Sequence, residues 1–324
     1  MTELDQPAAR RPVRSIAFAV GVITVAIATA LPVIASVLAL RELRSTAESN
    51  LLNAASMAAV QADRLLIEQF FELELLAASI GDSGEEADLL LESVRTVYGR
   101  LASLSSGVLW FDDRGVAVFA EPAESTDFGT SATKITTGLR LDVRSVSMPF
   151  MSPSTGYVAA ALSVPVYRDD GSREGTLVGL LDLTEPLVTD LVEPARVLGA
   201  TGHADLVDER GLVLASTSPS HVLQRGDHPD LYDAVAQNRA PIVRRVAHHV
   251  DGSSLDQSAW HVMAYAPLRV APWGVAMGAS EVEILEPVSR LQSQFVAIGA
   301  ASLVTLIVGG LFALGLARRS ERTG

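Results

Sequence analysis

The sequence of 324 residues has no cysteine, which excludes disulfides and thiolate metal sites. Positive charge is also scarce, with 25 basic residues against 38 acidic ones and a net charge of −13. Nucleic-acid binding rests on neutralising phosphates with Lys and Arg, so that function class is excluded. Lys134 is the single lysine, which a GC-rich genome explains more simply than any chemistry. No nucleophile elbow, phosphate loop or spaced carboxylate pair stands in a context that would support catalysis. Neither an enzyme nor a bound cofactor is therefore expected.

Charge is missing altogether from two long segments. Ser15 to Leu40 is an uncharged run of 26 residues, and Phe295 to Ala317 is another of 23. About 20 helical residues cross a hydrocarbon core of about 30 Å, so both qualify as spans. The first is too long for the apolar part of a cleaved signal peptide. Arg10, Arg11 and Arg14 precede the first run, and Arg318, Arg319 and Arg322 follow the second. Basic clusters stay on the cytoplasmic side. The expected topology is a two-pass protein of the cell membrane, with both termini cytoplasmic and residues 41–294 outside. An acidic exported segment stays soluble and is not drawn to anionic headgroups.

Proline and glycine are absent from Arg41 to Ile80, and a helix of about 60 Å follows. Leu43, Ala47, Leu51, Ala54, Ala58, Ala62, Leu65, Gln69, Leu73, Leu76 and Ile80 form one stripe, which only Gln69 interrupts. Its mean step is close to that of an eleven-residue repeat. Two partners fit such a stripe: the chain's own domain, or a second copy in a parallel homodimer.

The segment beyond is written twice. "WFDDRGVAVFA" (110–120) and "VDERGLVLAS" (207–216) both read as strand, polar turn and strand, with Gly115 and Gly211 96 residues apart. Glycine suits a turn position with positive φ. After the first hairpin and a polar loop from Ser125 to Gly138 comes "YVAAALSVPVY", then "TLVGLLDL". After the second hairpin and a short helix (Pro229 to Gln237) comes "AWHVMAYAPL", then "WGVAMGAS". Pro165 and Pro267 end corresponding strands, 102 residues apart. Two landmarks with nearly equal offsets imply a duplicated α+β unit. A helix from Glu85 to about Leu104 should open the first copy.

The expected organisation is a cytoplasmic tail (1–14), a transmembrane helix (15–40) and a long juxtamembrane helix (41–83). A membrane-distal module (84–190) and a membrane-proximal module (191–294) follow. A second transmembrane helix (295–317) and a short tail (318–324) complete the chain. The fold class is α+β, with two tandem PAS-like modules beside the long helix, each an antiparallel sheet with helices on one face.

This order resembles the double Cache sensor domain of bacterial chemoreceptors, sensor kinases and cyclases. The matching phrases are "MPFMSPSTGYVAAALSVPVYRDDGSREGTLVGLLDL", "ATGHADLVDERGLVLASTSP" and "VMAYAPLRVAPWGVAMGAS". The resemblance implies an extracytoplasmic sensor that binds a small organic ligand in the distal module. Neither tail holds an output module, so a separate membrane signalling protein is the expected partner. A scaffold of the cell envelope that binds no ligand is the alternative.

Alternation places Tyr157, Ala159, Ala161 and Ser163 on one face of their strand, away from the helices. Val178, Leu180 and Asp182 share the corresponding face of the last strand. A carboxylate in so apolar a strand needs a partner. The resemblance implies that Asp182 receives a ligand's ammonium; capping the following turn is the other use. Arg140 and Arg144 in "GLRLDVRSVSMPF" could grip a carboxylate, although the adjacent Trp-Tyr pair of the amino-acid signature is missing. A small organic anion thus stays open as the ligand. With Trp110 on the hairpin strand, the candidate contacts are Tyr157, Asp182, Arg140, Arg144, Ser163 and Trp110.

No metal site is expected. His221 and His228 flank a loop without a third ligand in view, and the adjacent His248 and His249 point to opposite faces of any strand. Trp260 and Trp273 should pack the proximal sheet.

Overall fold

The computed structural model describes residues 11–81, 95, 107–121, 138–152, 155–228, 231–232, 240–247 and 260–320. The expected helix from Glu85 to Leu104 lies outside them except for Arg95. So do the loop from Ser125 to residue 137 and His248-His249. Of the short helix from Pro229, Leu231 and Tyr232 are described, and both are helical.

With no Pro or Gly to stop it after Pro32, α1 runs unbroken from Arg11 to Gly81. The chain divides into two units, one of Met1–Ala47 with Leu285–Gly324 and one of Glu48–Ile284. The first contains the start of α1 and the terminal helix α4 (Glu286–Ser320). Among the described residues one helix is long and apolar enough to cross a membrane, Glu286–Leu311.

The second unit carries two antiparallel sheets. One is built from β1 (Val108–Asp112), β2 (Ala117–Glu121), β3 (Ser145–Val146), β4 (Phe150–Met151), β5 (Val158–Tyr167) and β6 (Arg173–Asp182). Its order is β2-β1-β6-β5-β3, with β4 also paired to β5. A short helix α2 (Pro186–Thr189) and a 3₁₀ turn (Glu193–Leu198) lead to β7 (His203–Asp208) and β8 (Val213–Ser216). Then come β9 (Ile242–Ala247), β10 (Trp260–Pro267), β11 (Trp273–Ser280) and α3 (Glu281–Ile284). The second order, β8-β7-β11-β10-β9, repeats the first strand for strand.

The repeat extends to individual hydrogen bonds. Asp112 Oδ1 accepts from the amides of Arg114 (3.0 Å) and Val116 (2.7 Å). Asp208 Oδ1 accepts from those of Arg210 (2.8 Å) and Leu212 (2.9 Å). These carboxylates satisfy turn amides that no ladder partner reaches. Gly115 and Gly211 sit at φ of +78° and +76°, and both hairpins carry a bulge on the strand that follows the turn. The hydrogen bond from the Val116 amide, together with those from Arg114, holds the Asp112 carboxyl below its ordinary value against the opposing effect of desolvation.

Alternation decides which strand residues meet α1. Val158, Ala160, Leu162, Val164 and Val166 of β5 and Leu177 and Leu181 of β6 share one apolar core with α1. Leu206 of β7, Val262, Ala264 and Ala266 of β10 and Val275 of β11 join the same core from the other sheet. The opposite face of the second sheet has its own cluster around Val207, Met263, Tyr265 and Tyr232. Trp273 is buried in the core, as expected, whereas Trp260 is half-exposed and stacks under the Arg245 guanidinium at 4.0 Å.

This packing corrects the assignment of the α1 stripe. Leu51, Ala58, Ala62, Leu65, Leu73, Leu76 and Ile80 are all buried in the chain's own core, and so is Gln69. From Leu51 to Ile80 the expected dimer seam is thus taken up by the chain's own core, while Leu43, Ala47 and Ala54 remain half-buried. The outer face of the same helix instead exposes Met57, Val60, Ile67, Phe71 and Leu75.

Candidate functional site

The face of the first sheet turned away from α1 carries Leu109, Phe111, Ala161, Val178 and Leu180, with Leu139 and Phe150 packed over it. Asp182 ends β6 on this face, opposite Ala159 of β5, and is 6% exposed. Its Oδ1 accepts from the Thr184 amide (2.7 Å) and hydroxyl (2.6 Å). The turn-capping use weighed for Asp182 is thus present.

Ser163 stands on the same face but opposite Val178, four residues along β5 from Ala159. At about 3.4 Å per residue the two positions lie about 14 Å apart. The Ser163 hydroxyl is fully buried, 2.7 Å from the Ser145 hydroxyl and 3.1 Å from the Arg140 carbonyl. Thr176 of β6 donates to the Leu141 carbonyl at 2.7 Å, and Ser147 Oγ accepts from the Ala161 amide at 2.9 Å. The segment from Arg140 to Ser147 is thereby stitched onto the Ser163 end of the sheet.

The other candidates do not converge there. The Arg140 side chain is exposed and bonds Asp142 at 3.2 Å, a contact that holds that carboxyl below the usual range. Arg144 turns to α1, its guanidinium 4.1 Å from the centre of the Phe70 ring and 3.6 Å from Glu74. Trp110, paired with Leu177, packs against the core shared with α1, opposite the Asp182 side. Tyr157 precedes β5 and is 56% exposed. The structure therefore brings Ser163 together with the Arg140 main chain, leaves Asp182 at the far end of the same face, and places Arg144 and Trp110 on the other face.

A cleft of about 370 Å³ opens elsewhere, between Ser56–Asp63 of α1 and the β10–β11 turn. Asp63 accepts there from the amides of Arg269 and Val270 at 2.9–3.0 Å. These bonds tie the turn to the helix.

The topology invites comparison with known proteins. No family model and no curated protein matches the sequence, but solved structures do. An extracellular ligand-binding receptor from Desulfohalobium retbaense superposes with a TM-score of 0.54 at 12% identity, over 71% of this chain. The chain spans about 40% of that receptor's length. An extracellular domain described as that of a histidine kinase, rpHK1S-Z16, gives 0.55 at 18% identity, covering 74% of this chain and 97% of that one. The ligand-binding domain of the Pseudomonas fluorescens chemoreceptor CtaA, solved with L-isoleucine, gives 0.52 at 15%, covering 76% and 97%.

The fold is that of a double Cache sensor domain. In double Cache terms the sheet of β1–β6 is the first module and that of β7–β11 the second. The first carries the candidate contacts discussed above.

The second module holds a group that sequence reasoning missed. His221 pairs with Asp227 (3.3 Å), while His228 Nε2 lies 2.9 Å from His203 Nε2, with His261 beside both. The three residues are 25 and 33 positions apart, so no short motif announces them. The placement of His203 on a strand homologous to β1 and of His261 on one homologous to β5 was the available signal.

Proposed function

We propose that the chain is a membrane-anchored extracytoplasmic sensor of a small organic molecule, which passes the binding event to a separate membrane protein. The observation that carries this reading is Asp182: a buried carboxylate at one end of a mostly apolar face, opposite the small side chain of Ala159. Burying a charge is costly unless something is gained from it, and an ammonium or hydroxyl ligand supplies that gain by a charge-assisted bond. The double Cache fold supports the reading by analogy, because fold alone does not settle function.

Membrane attachment rests on α4 and on the uncharged run within α1. The arginine clusters at 10–14 and 318–322 place both termini in the cytoplasm by the positive-inside rule. The modules then bear residues 84–190 and 191–294 outside. Self-association uses the outer face of α1, where Met57 and Val60, and beyond the Arg64–Glu68 ion pair Ile67, Phe71 and Leu75, are exposed apolar side chains, a feature that marks interaction surfaces.

The second reading, an envelope scaffold without a ligand, is favoured by the cover that Leu139, Phe150 and the Arg140–Ser147 segment lay over the face. A thermal-shift screen of the full chain in detergent, against amino acids, organic acids, amines and nucleobases, separates the two. A ligand at about a hundred times its dissociation constant stabilises by about 2.7 kcal/mol. A screen in which no compound moves the transition supports the scaffold.

A further inference from the structure

We propose that His203, His228 and His261 form a binding site in the second module for a divalent first-row transition metal, with Zn²⁺ as the best-suited ion. The fold builds the site from three separate elements. His203 opens β7 and pairs with Gly278 of β11. His261, near the start of β10, pairs with Ser280 of the same strand. His228 comes in from the loop after β8, and the three ring centroids form a near-equilateral triangle with sides of 5.2, 5.2 and 5.4 Å. His228 is fully buried, His261 is 3% exposed, and His203 is half-buried at the entrance.

The hydrogen-bond chemistry points to a cation. His203 Nδ1 lies 2.9 Å from the Thr201 carbonyl, and His228 Nδ1 lies 3.3 Å from the Ala247 carbonyl. A carbonyl only accepts, so each Nδ1 carries the ring proton and donates it. The two Nε2 atoms then face each other at 2.9 Å, and where neither ring carries a second proton both present a lone pair. Two lone pairs that close repel unless a positive charge lies between them. Metal-bound histidines show the same arrangement: one nitrogen on the ion and the other N–H donated to a carbonyl or carboxylate that fixes the ring.

The third imidazole favours a metal ion over a shared proton, which needs only two nitrogens. One ligand atom from each histidine lies within 4.8 Å of the others. Zn–N bonds of about 2.0–2.1 Å in a tetrahedron set nitrogens about 3.4 Å apart, between the observed 2.9 Å contact and the 4.8 Å limit. Small side-chain shifts close the triangle. Imidazole donors suit Zn²⁺, Cu²⁺ and Ni²⁺, whereas Ca²⁺ and Mg²⁺ prefer oxygen. The Glu283 carboxylate is held by the Thr201 hydroxyl (2.6 Å) and amide (3.0 Å), the residue whose carbonyl orients His203.

The test uses the full chain, prepared without a polyhistidine tag, stripped with a chelator and titrated in detergent with Zn²⁺ by calorimetry. Co²⁺ serves as a spectroscopic stand-in. The expected result is one Zn²⁺ per chain, and a visible Co²⁺ absorption of tetrahedral type that Zn²⁺ abolishes. His203→Gln and His261→Gln should each weaken Zn²⁺ binding by about tenfold or more. His203 is half-buried, so His203→Gln keeps the circular dichroism of the wild type. Absence of saturable Zn²⁺ binding overturns the proposal, and so does binding of undiminished strength in both variants.

Discussion

Leu73 and Phe71 are near neighbours on α1 with opposite fates. Leu73 is fully buried in the core that α1 shares with the sheets, and Phe71 is 58% exposed on the outer face. Truncating Leu73 to alanine removes three buried carbons and leaves a cavity that helix and sheet cannot fully close. The cost for such a site is about 2–5 kcal/mol. In a unit of this size each kcal/mol lowers Tm by about 2–4 °C, so a fall of roughly 4–20 °C is expected. Phe71→Glu changes only surface, and its effect on folding should stay within about 0.5 kcal/mol. If the outer face is where two copies meet, that charge should nonetheless convert the detergent-solubilised protein to a monomer. Thermal melts and light scattering on the two variants read both effects. A Leu73→Ala protein that melts with the wild type, or a Phe71→Glu protein that unfolds, would refute the assignment of faces.

Three further outcomes follow from particular contacts. Gly211→Ala should destabilise more than Gly115→Ala in urea denaturation. Both positions have positive φ, but a Cβ at 211 meets Tyr232 Cβ at 2.7 Å, while one at 115 meets only Leu141 Cδ1 at 3.3 Å. Tyr232→Phe removes a 3.0 Å bond to the Asp205 carboxylate and should cost about 1.5–3 kcal/mol near neutral pH. Burial first, and then the Asp205 charge, raise the Tyr232 phenol well above its ordinary value. An unfolded phenol ionises near pH 10 while the folded one stays neutral, so stability should fall as pH rises above about 10. The fall should be shallower in Tyr232→Phe. Asp182→Ala should weaken a cationic or zwitterionic ligand found in the screen by about 10- to 150-fold. If it instead leaves affinity unchanged and lowers Tm, Asp182 serves only as the cap of Thr184.

Much of the fold was legible because it depends on local chemistry. The Asp-x-x-Gly turns of the two hairpins dictate the same hydrogen bonds at 112–116 and 208–212, and strict alternation on β5 and β6 told which residues face α1. The partner of the α1 stripe was not legible, since a period near 3.7 residues states that a face is buried and not what buries it. The site was legible in part. Alternation put Ser163 and Asp182 on one face, but it could not foresee that a loop carbonyl would take the Ser163 hydroxyl. The pull of Phe70 and Glu74 on Arg144 comes from a helix some 70 residues earlier, and the histidine triangle depends on strand order.

Hydrogen–deuterium exchange of the full chain, with and without a compound that raises its melting temperature, tests the central claim most directly. The account predicts added protection in the first module, at the amides of 139–151, of β5 from Val158 to Ser163 and of β6 near Asp182. Protection confined to the second module, between His203 and Ser280, would contradict it.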